Sequence, residues 1–247
     1  MDFLANYFGS LNPMSFLSAL PGNIAQGIIW GLMGLGVFLT FKLLNFADLS
    51  VDGSFATGGA VTAVMLINGC PVWATIIVAI LAGLAAGLVT GLLHTLLGIP
   101  DILAGILTQI ALYSINLNIM GKSNLPISYR NYTLVVSASN INMAILVGLG
   151  ICAVVIAAMY WYFGTEQGST IRSTGSNPAM SKAQGININF TKVIALALSN
   201  GLVALSGSLF AQYQGFADIN MGRGAIVIGL AAVIIGEVLG EAIFRKH

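Results

Sequence analysis

Apolar runs of membrane-crossing length alternate with short polar connections along nearly the whole chain. A helix crosses the hydrocarbon core with roughly 20 apolar residues. By that measure the pattern predicts about seven crossings: Ile24 to Leu44, a short run from Ser54 to Ile67, Val72 to Leu97, Ile102 to Met120, Met143 to Phe163, Phe190 to Tyr213 and Ala225 to Phe244. Residues 3–20 are also apolar, but Gly9 and Asn12-Pro13 interrupt them. A short interfacial helix or a partial insertion is expected there, with a turn at Pro21-Gly22 before the first span. Residues 1–247 read as a single transmembrane domain with 1–22 as an interfacial N-terminal segment.

Several interruptions carry information. Asn45 to Gly53 places an Asn and two acids, Asp48 and Asp52, between apolar runs, and the next run is short and holds Gly58-Gly59. A short, Gly-interrupted segment beside polar residues predicts a discontinuous helix or a re-entrant turn. In the third span Gly83, Gly87 and Gly91 fall at i, i+4, i+8, a doubled GxxxG face for close helix packing. Gly98-Ile-Pro100-Asp101 predicts a tight turn and the start of the fourth span. That span carries Thr108, Gln109, Tyr113, Asn116 and Asn118. Residues 121–142 form the main loop, whose centre, Tyr132 to Val136, is expected to pair as a short strand or lie flat. Tyr160-Trp161-Tyr162 closes the fifth span as an interfacial aromatic belt.

One long polar run breaks the pattern, Gly168 to Asn189, with Arg172 and Lys182 and no acid. Gly168-Ser169-Thr170 offers an N-cap, and Ile171 to Thr174 a short first helix. Gly175-Ser176-Asn177 predicts a break, with Pro178 at the first position of a second helix that ends at Gly185. Two short basic helices joined by an elbow and parallel to the membrane suit a groove on a partner. A solvated loop with two basic residues is the plainer reading of the same residues.

Composition agrees with an all-α polytopic membrane protein. The chain is 57% hydrophobic and 7% charged, with mean hydropathy +0.92, where a soluble domain has about 25% charged residues. A net charge of +1 argues against a nucleic-acid surface, so lipid is the expected surroundings. Cys70 and Cys152 lie far apart, which suits neither a zinc site nor a disulfide framework. The N-terminus lacks a basic n-region, so a removed signal peptide is not expected. Counting Lys and Arg gives the orientation. With 168–189 in the cytoplasm, Lys42, Arg172, Lys182, Lys192, Arg245 and Lys246 lie inside, and Lys122, Arg130 and Arg223 outside.

Catalytic and metal motifs are not found: the sequence has no HExxH, no GxSxG and no Cys/His cluster. Gly121-Lys122-Ser123 resembles the tail of a phosphate-binding loop, but Asn116 stands where that motif needs Gly. Any ATP-driven work therefore needs another polypeptide. Asp48 and Asp52 are candidates for the pathway wall, for binding a substrate ammonium, or for capping the broken helix. Asp218 and Arg223 are expected in an external loop. Glu237, Glu241 and Arg245 form an i, i+4, i+8 series that pairs along one face or relays protons. Asn45, Asp48, Asp52, Tyr113, Asn116, Asn118, Gln212 and Tyr213 are the candidate pathway residues, with helix–helix hydrogen bonding as the competing role.

The pattern Arg172-Ser-Thr-Gly175-Ser-Asn177-Pro178-Ala179, followed by Gly185-Ile186, resembles the coupling-helix segment of ABC importer permeases of the branched-chain amino acid and ribose type. Leu44 to Asp48 with Asp52-Gly53 resembles the run after their first core helix, and Gly207-Ser-Leu-Phe210 with Gly215 and Gly222 to Gly236 their Gly-rich paired spans. Phe46 to Phe55, Gly91 to Thr95 and Gly105 to Leu117 are similar to a subgroup linked to import of tryptophan or other aromatic amino acids. The resemblance covers about residues 24–245 and departs at Met180, where the family has a second Ala. It departs again at Arg245-Lys246-His247, where the family continues with more spans. It implies a permease subunit without catalysis of its own, half of a homodimeric pore in a bacterial cytoplasmic membrane. Residues 168–189 and the C-terminus would be cytoplasmic. The implied partners are an ATPase subunit, which would hold ATP and magnesium and contact Arg172, Ser173, Thr174, Gly175, Ser176, Asn177, Pro178, Ala179 and Met180, and an extracytoplasmic binding protein. The chain itself would carry no cofactor and no metal. An ion-coupled transporter or channel without an ATPase, or a structural membrane subunit, are the other readings.

Overall fold

A computed structural model describes residues 13–127 and 134–244. Helix α1 (Pro13–Val37) runs into a π-helical turn (Phe38–Leu43) and a break, then α2 (Ser50–Ile67). α3 (Val72–Leu97), α4 (Asp101–Met120), strand β1 (Asn124–Pro126) and α5 (Ile141–Phe163) follow. Two short helices, α6 (Glu166–Ser176) and α7 (Pro178–Ala183), lead into α8 (Ile188–Gln214), strand β2 (Phe216–Asp218) and α9 (Ala225–Phe244). Seven helical stretches among the described residues are long and apolar enough to cross a membrane.

Helix α8 is the centre. In α8 and α2, 78% of the membrane-length window is buried, against 39% in α3, 28% in α4, 17% in α5 and 11% in α9. The polar content of α8 explains its place, since lipid offers hydroxyls and amides no partner and neighbouring helices do. Ser199 Oγ donates to the Gly36 carbonyl (2.7 Å), Ser206 Oγ to that of Ile29 (2.6 Å), and Thr62 Oγ1 to Ser208 Oγ (2.7 Å). Trp30, Phe55 and Phe210 make an aromatic knot between α1, α2 and α8, with centroids 5.3–5.5 Å apart. Gly83, Gly87 and Gly91 of α3 lie against α8: a Cβ added at Gly87 would come within 2.2 Å of the Leu196 carbonyl oxygen.

Several expectations are corrected. Pro21-Gly22 makes no turn, because α1 is continuous through it. In apolar surroundings an unbroken helix satisfies more backbone than a turn does, and Tyr213 Oη of α8 donates to the Gly22 carbonyl (3.0 Å). Of the expected interfacial segment, residues 13–22 belong to this helix and 1–12 lie outside the described residues. The expected strand or flat segment at Tyr132 to Val136 is described only from Leu134 onward. Leu134 to Val136 are not in a strand, and Tyr132 lies outside the described residues. Instead β1 pairs antiparallel with β2, Leu125 opposite Ala217. Glu237 pairs with Lys42 of the π-turn, and Arg245, the end of the expected Glu237, Glu241 and Arg245 series, lies outside the described residues.

Candidate functional site

Helices α6 and α7 form the elbow. Thr165 caps α6, its Oγ1 accepting from the Gly168 N–H (3.4 Å). The first helix therefore starts before the expected Gly168 to Thr170 cap and has 11 residues. The break is a single residue: Asn177 is extended (φ −152, ψ 93), ends α6, and accepts from the Met180 N–H at 3.0 Å to cap α7. Pro178 occupies the first turn of α7, and Gly185 follows it in the left-handed region at φ +85. Ser176 to Met180 form a continuous exposed run in which Met180 is 59% exposed. Arg172 is exposed and its Nη2 donates to the Phe163 carbonyl at the end of α5 (3.0 Å). Ser173 and Gly175 are half-buried, and Thr174 is buried with no partner for its Oγ1.

The inner face of the elbow rests on the helix break. Ile171 packs with Leu39, Leu44, Phe46 and Leu196 in one apolar cluster. A Cβ at Gly175 would stand 1.9 Å from the Leu43 carbonyl oxygen, so only Gly allows this approach. The break then turns through Asn45, the one non-Gly residue with positive φ (+55) among those described, a region Asn tolerates. Asp48, 2% exposed, accepts from the Ser50 N–H (2.9 Å), the Ser50 hydroxyl and Asn200 Nδ2 (2.7 Å). Asn200 Oδ1 in turn accepts from Ser54 Oγ at 2.6 Å. Asn45 and Asp48 thus build the break and tie it to α8.

A cavity of about 320 Å³ lies between α2, α4 and the turn before α9. Asp52, Gly53 and Ala56 line it from α2, Gln109, Ile110, Tyr113 and Asn116 from α4, and Ile219 and Arg223 from the turn. Asp52 caps a helix other than its own: its carboxylate accepts from the N–H groups of Gly224 (3.0 Å) and Ile226 (2.9 Å) at the start of α9. Acceptors are favoured at such free N–H groups. Asn116 is 1% exposed, and neither its amide nitrogen nor its oxygen has a partner.

Of the sequence-predicted pathway residues, this cavity collects Asp52, Tyr113 and Asn116. Asn118 is exposed and away from it, since residues two apart on a helix do not share a face. Gln212 and Tyr213 lie outside this cavity: Gln212 Oε1 accepts from the Val135 N–H (3.1 Å) and Tyr213 Oη donates to the Gly22 carbonyl (3.0 Å). Gln109 and Arg223 were missed. Gln109 precedes Tyr113 and Asn116 by four and seven residues, a helical-face spacing that could have found it. Arg223 sits in a turn expected to be external loop, and no periodicity marks it.

Comparison with known proteins agrees with this architecture. The family model described as branched-chain amino acid transport system / permease component matches residues 22–243. A tyrosine transport system permease protein of Clostridioides difficile (strain R20291) is 45% identical over 224 residues, covering 90% of this chain and 74% of that protein. The D-allose transport system permease protein AlsC of Escherichia coli (strain K12) is 28% identical over 93% of this chain and 71% of its own length. An autoinducer 2 import system permease protein, LsrC of Enterobacter sp. (strain 638), is 28% identical over 93% of this chain and 66% of its own. No solved structure matches. With seven membrane-length helices among the described residues, α8 at their centre, and a family match over nearly its whole length, this chain belongs to the permease components of branched-chain amino acid-type ABC transport systems.

Proposed function

We propose that this chain is the membrane subunit of an ATP-driven importer of an aromatic amino acid, tryptophan or tyrosine, with two copies forming the pore. A separate ATPase subunit, carrying ATP and magnesium, seats on the exposed run Ser176 to Met180, with Met180 as its apolar anchor. An extracytoplasmic binding protein delivers the substrate. The Lys/Arg distribution supports placing residues 168–189 and the C-terminus in the cytoplasm of a bacterial plasma membrane. The tyrosine transport permease among its relatives supports the substrate class.

The observation that carries the reading is the seat of the elbow. Gly175 leaves no space above the Leu43 carbonyl, so a displacement of α6 and α7 moves the π-turn and the break directly. Past the π-turn the break leaves the helical backbone ladder, with Phe46 N–H reaching back to the Thr40 carbonyl (2.9 Å), and it is there that the first span yields in this reading. The Asp48–Asn200 link passes the movement to α8. ATP-driven closure of the partner thereby reaches the central helix.

Reconstitution of the full complex in proteoliposomes tests this. Met180→Glu is expected to release the ATPase subunit. Gly175→Val is expected to keep it bound while substrate-stimulated uptake falls at least about tenfold, worth about 1.4 kcal/mol. Uptake that persists in both variants, or that ignores ATP, would overturn the reading.

A further inference from the structure

We infer that the cavity between α2, α4 and the turn before α9 binds the substrate in transit as a zwitterion, through Asp52, Arg223 and Asn116. This deepens the import reading above and rests on it. The first observation is Asn116. Among the described residues four buried side-chain atoms lack a partner, and two of them are its amide nitrogen and oxygen. Leaving such groups unpaired in a buried site costs roughly 1–3 kcal/mol each. Of the residues carrying those atoms only Asn116 lines this cavity. Its amide carries a donor nitrogen and an acceptor oxygen side by side in the cavity wall, both shielded from water and unpartnered in this conformation.

The second observation is the charge arrangement. Asp52 and Arg223 come from different walls of the cavity. Among the described residues, no ion pair joins the two side chains. Asp52 is held in place by the Gly224 and Ile226 N–H groups, and each carboxylate oxygen keeps a further acceptor site. A ligand with one ammonium and one carboxylate satisfies both side chains. A simple anion meets Asp52 and a simple cation meets Arg223, each a like charge. A neutral hexose uses neither charge. The volume, about 320 Å³, stands at the small end of the roughly 300–1,000 Å³ typical of ligand pockets. Ile110, Tyr113 and Ala56 supply the wall for an apolar or aromatic side chain.

The test is equilibrium binding to the permease–ATPase complex in nanodiscs without the binding protein. The probes are radiolabelled L-tyrosine, tyramine (no carboxylate), hydroxyphenylpropionate (no ammonium) and D-allose. Saturable binding of L-tyrosine is expected, with each truncated analogue at least about tenfold weaker. Asn116→Ala is expected to weaken L-tyrosine about tenfold. Arg223→Gln is expected to weaken it similarly while leaving tyramine unchanged, a selectivity that a merely structural role does not produce. If Asn116→Ala fails to yield a monodisperse complex, Arg223→Gln, on an exposed turn, carries the same test. Binding that ignores the loss of either charged group, a preference for D-allose, wild-type affinity in both variants, or no saturable binding would overturn the site. ATP-driven tyrosine uptake by the complete transporter, measured in parallel, separates the two failures. Uptake without these site effects sinks the zwitterion site alone, and absence of uptake sinks the import reading with it.

Discussion

Single residues in the spans divide by whether their polar groups are already satisfied. Asp48 and Asn200 are: between them they hold Ser50, Ser54 and the Leu196 carbonyl in one buried network. Removing one member strands the rest, and a buried group left without its partner costs about 1–3 kcal/mol, more when charged. Asn200→Ala, which leaves the buried Asp48 carboxylate only its Ser50 donors and takes the acceptor from Ser54 Oγ, is therefore expected to lower stability by about 2–3 kcal/mol. Ser54→Ala removes one hydroxyl and is expected to cost about 1 kcal/mol. Denaturant unfolding of the detergent-solubilised protein measures both, and equal losses would contradict the ranking. Both acids were visible in the sequence as ionisable groups within apolar surroundings. Their separation was not. Four residues apart, they would share a helix face, but Asp48 precedes the first turn of α2 and bonds Ser50 there and Asn200 of α8, while Asp52 lies in the helix and caps α9.

Among elements, the contact of α3 with α8 depends on backbone proximity. At Gly87 the nearest obstacles to a side chain are the Leu196 carbonyl and the Ala197 Cα, neither of which can swing aside. Gly87→Val is expected to force the helices apart and lower the melting temperature by many degrees or prevent assembly. Gly240→Val on α9, with nothing within 4 Å of its added Cβ, is expected to leave it unchanged. Thermal unfolding by intrinsic fluorescence compares the two. The GxxxG spacing announced the first of these, because a helix period of 3.6 places residues four apart on one face. The elbow was legible through Asn177-Pro178, whose cap and fixed φ work locally. Its first helix was read too short because Glu166 and Gln167 look like the end of a span, and the cap at Thr165 depends on how α5 ends.

Across the whole molecule, buried α8 and α2 are wrapped by helices with exposed apolar faces, and Lys42–Glu237 joins the π-turn to outlying α9. Both side chains are partly exposed, at 47% and 39%, so the pair is worth about 0–1 kcal/mol. Lys42→Glu and Glu237→Lys are each expected to loosen α9, and the double reversal to recover most of the loss. A double-mutant cycle on unfolding free energy reads this, and a coupling of zero would show that the pair holds nothing.

The sequence by itself determined the class, the positions of the spans, the break after the first span, the glycine face of α3 and the Asn-Pro elbow. Each of these is local: apolar length, helical period, and the backbone preferences of Gly, Asn and Pro act within a few residues. Tertiary structure alone decided that α8 is the centre, that Pro21 is carried through a helix, that Glu237 reaches Lys42, and that Asp52 caps α9. It also brought Arg223 to the cavity that Tyr113 and Asn116 line from α4. Those facts join residues more than a hundred positions apart, or set the surrounding lipid and neighbouring helices against a local turn signal. No pattern along one segment encodes which distant helix will supply the missing hydrogen bond.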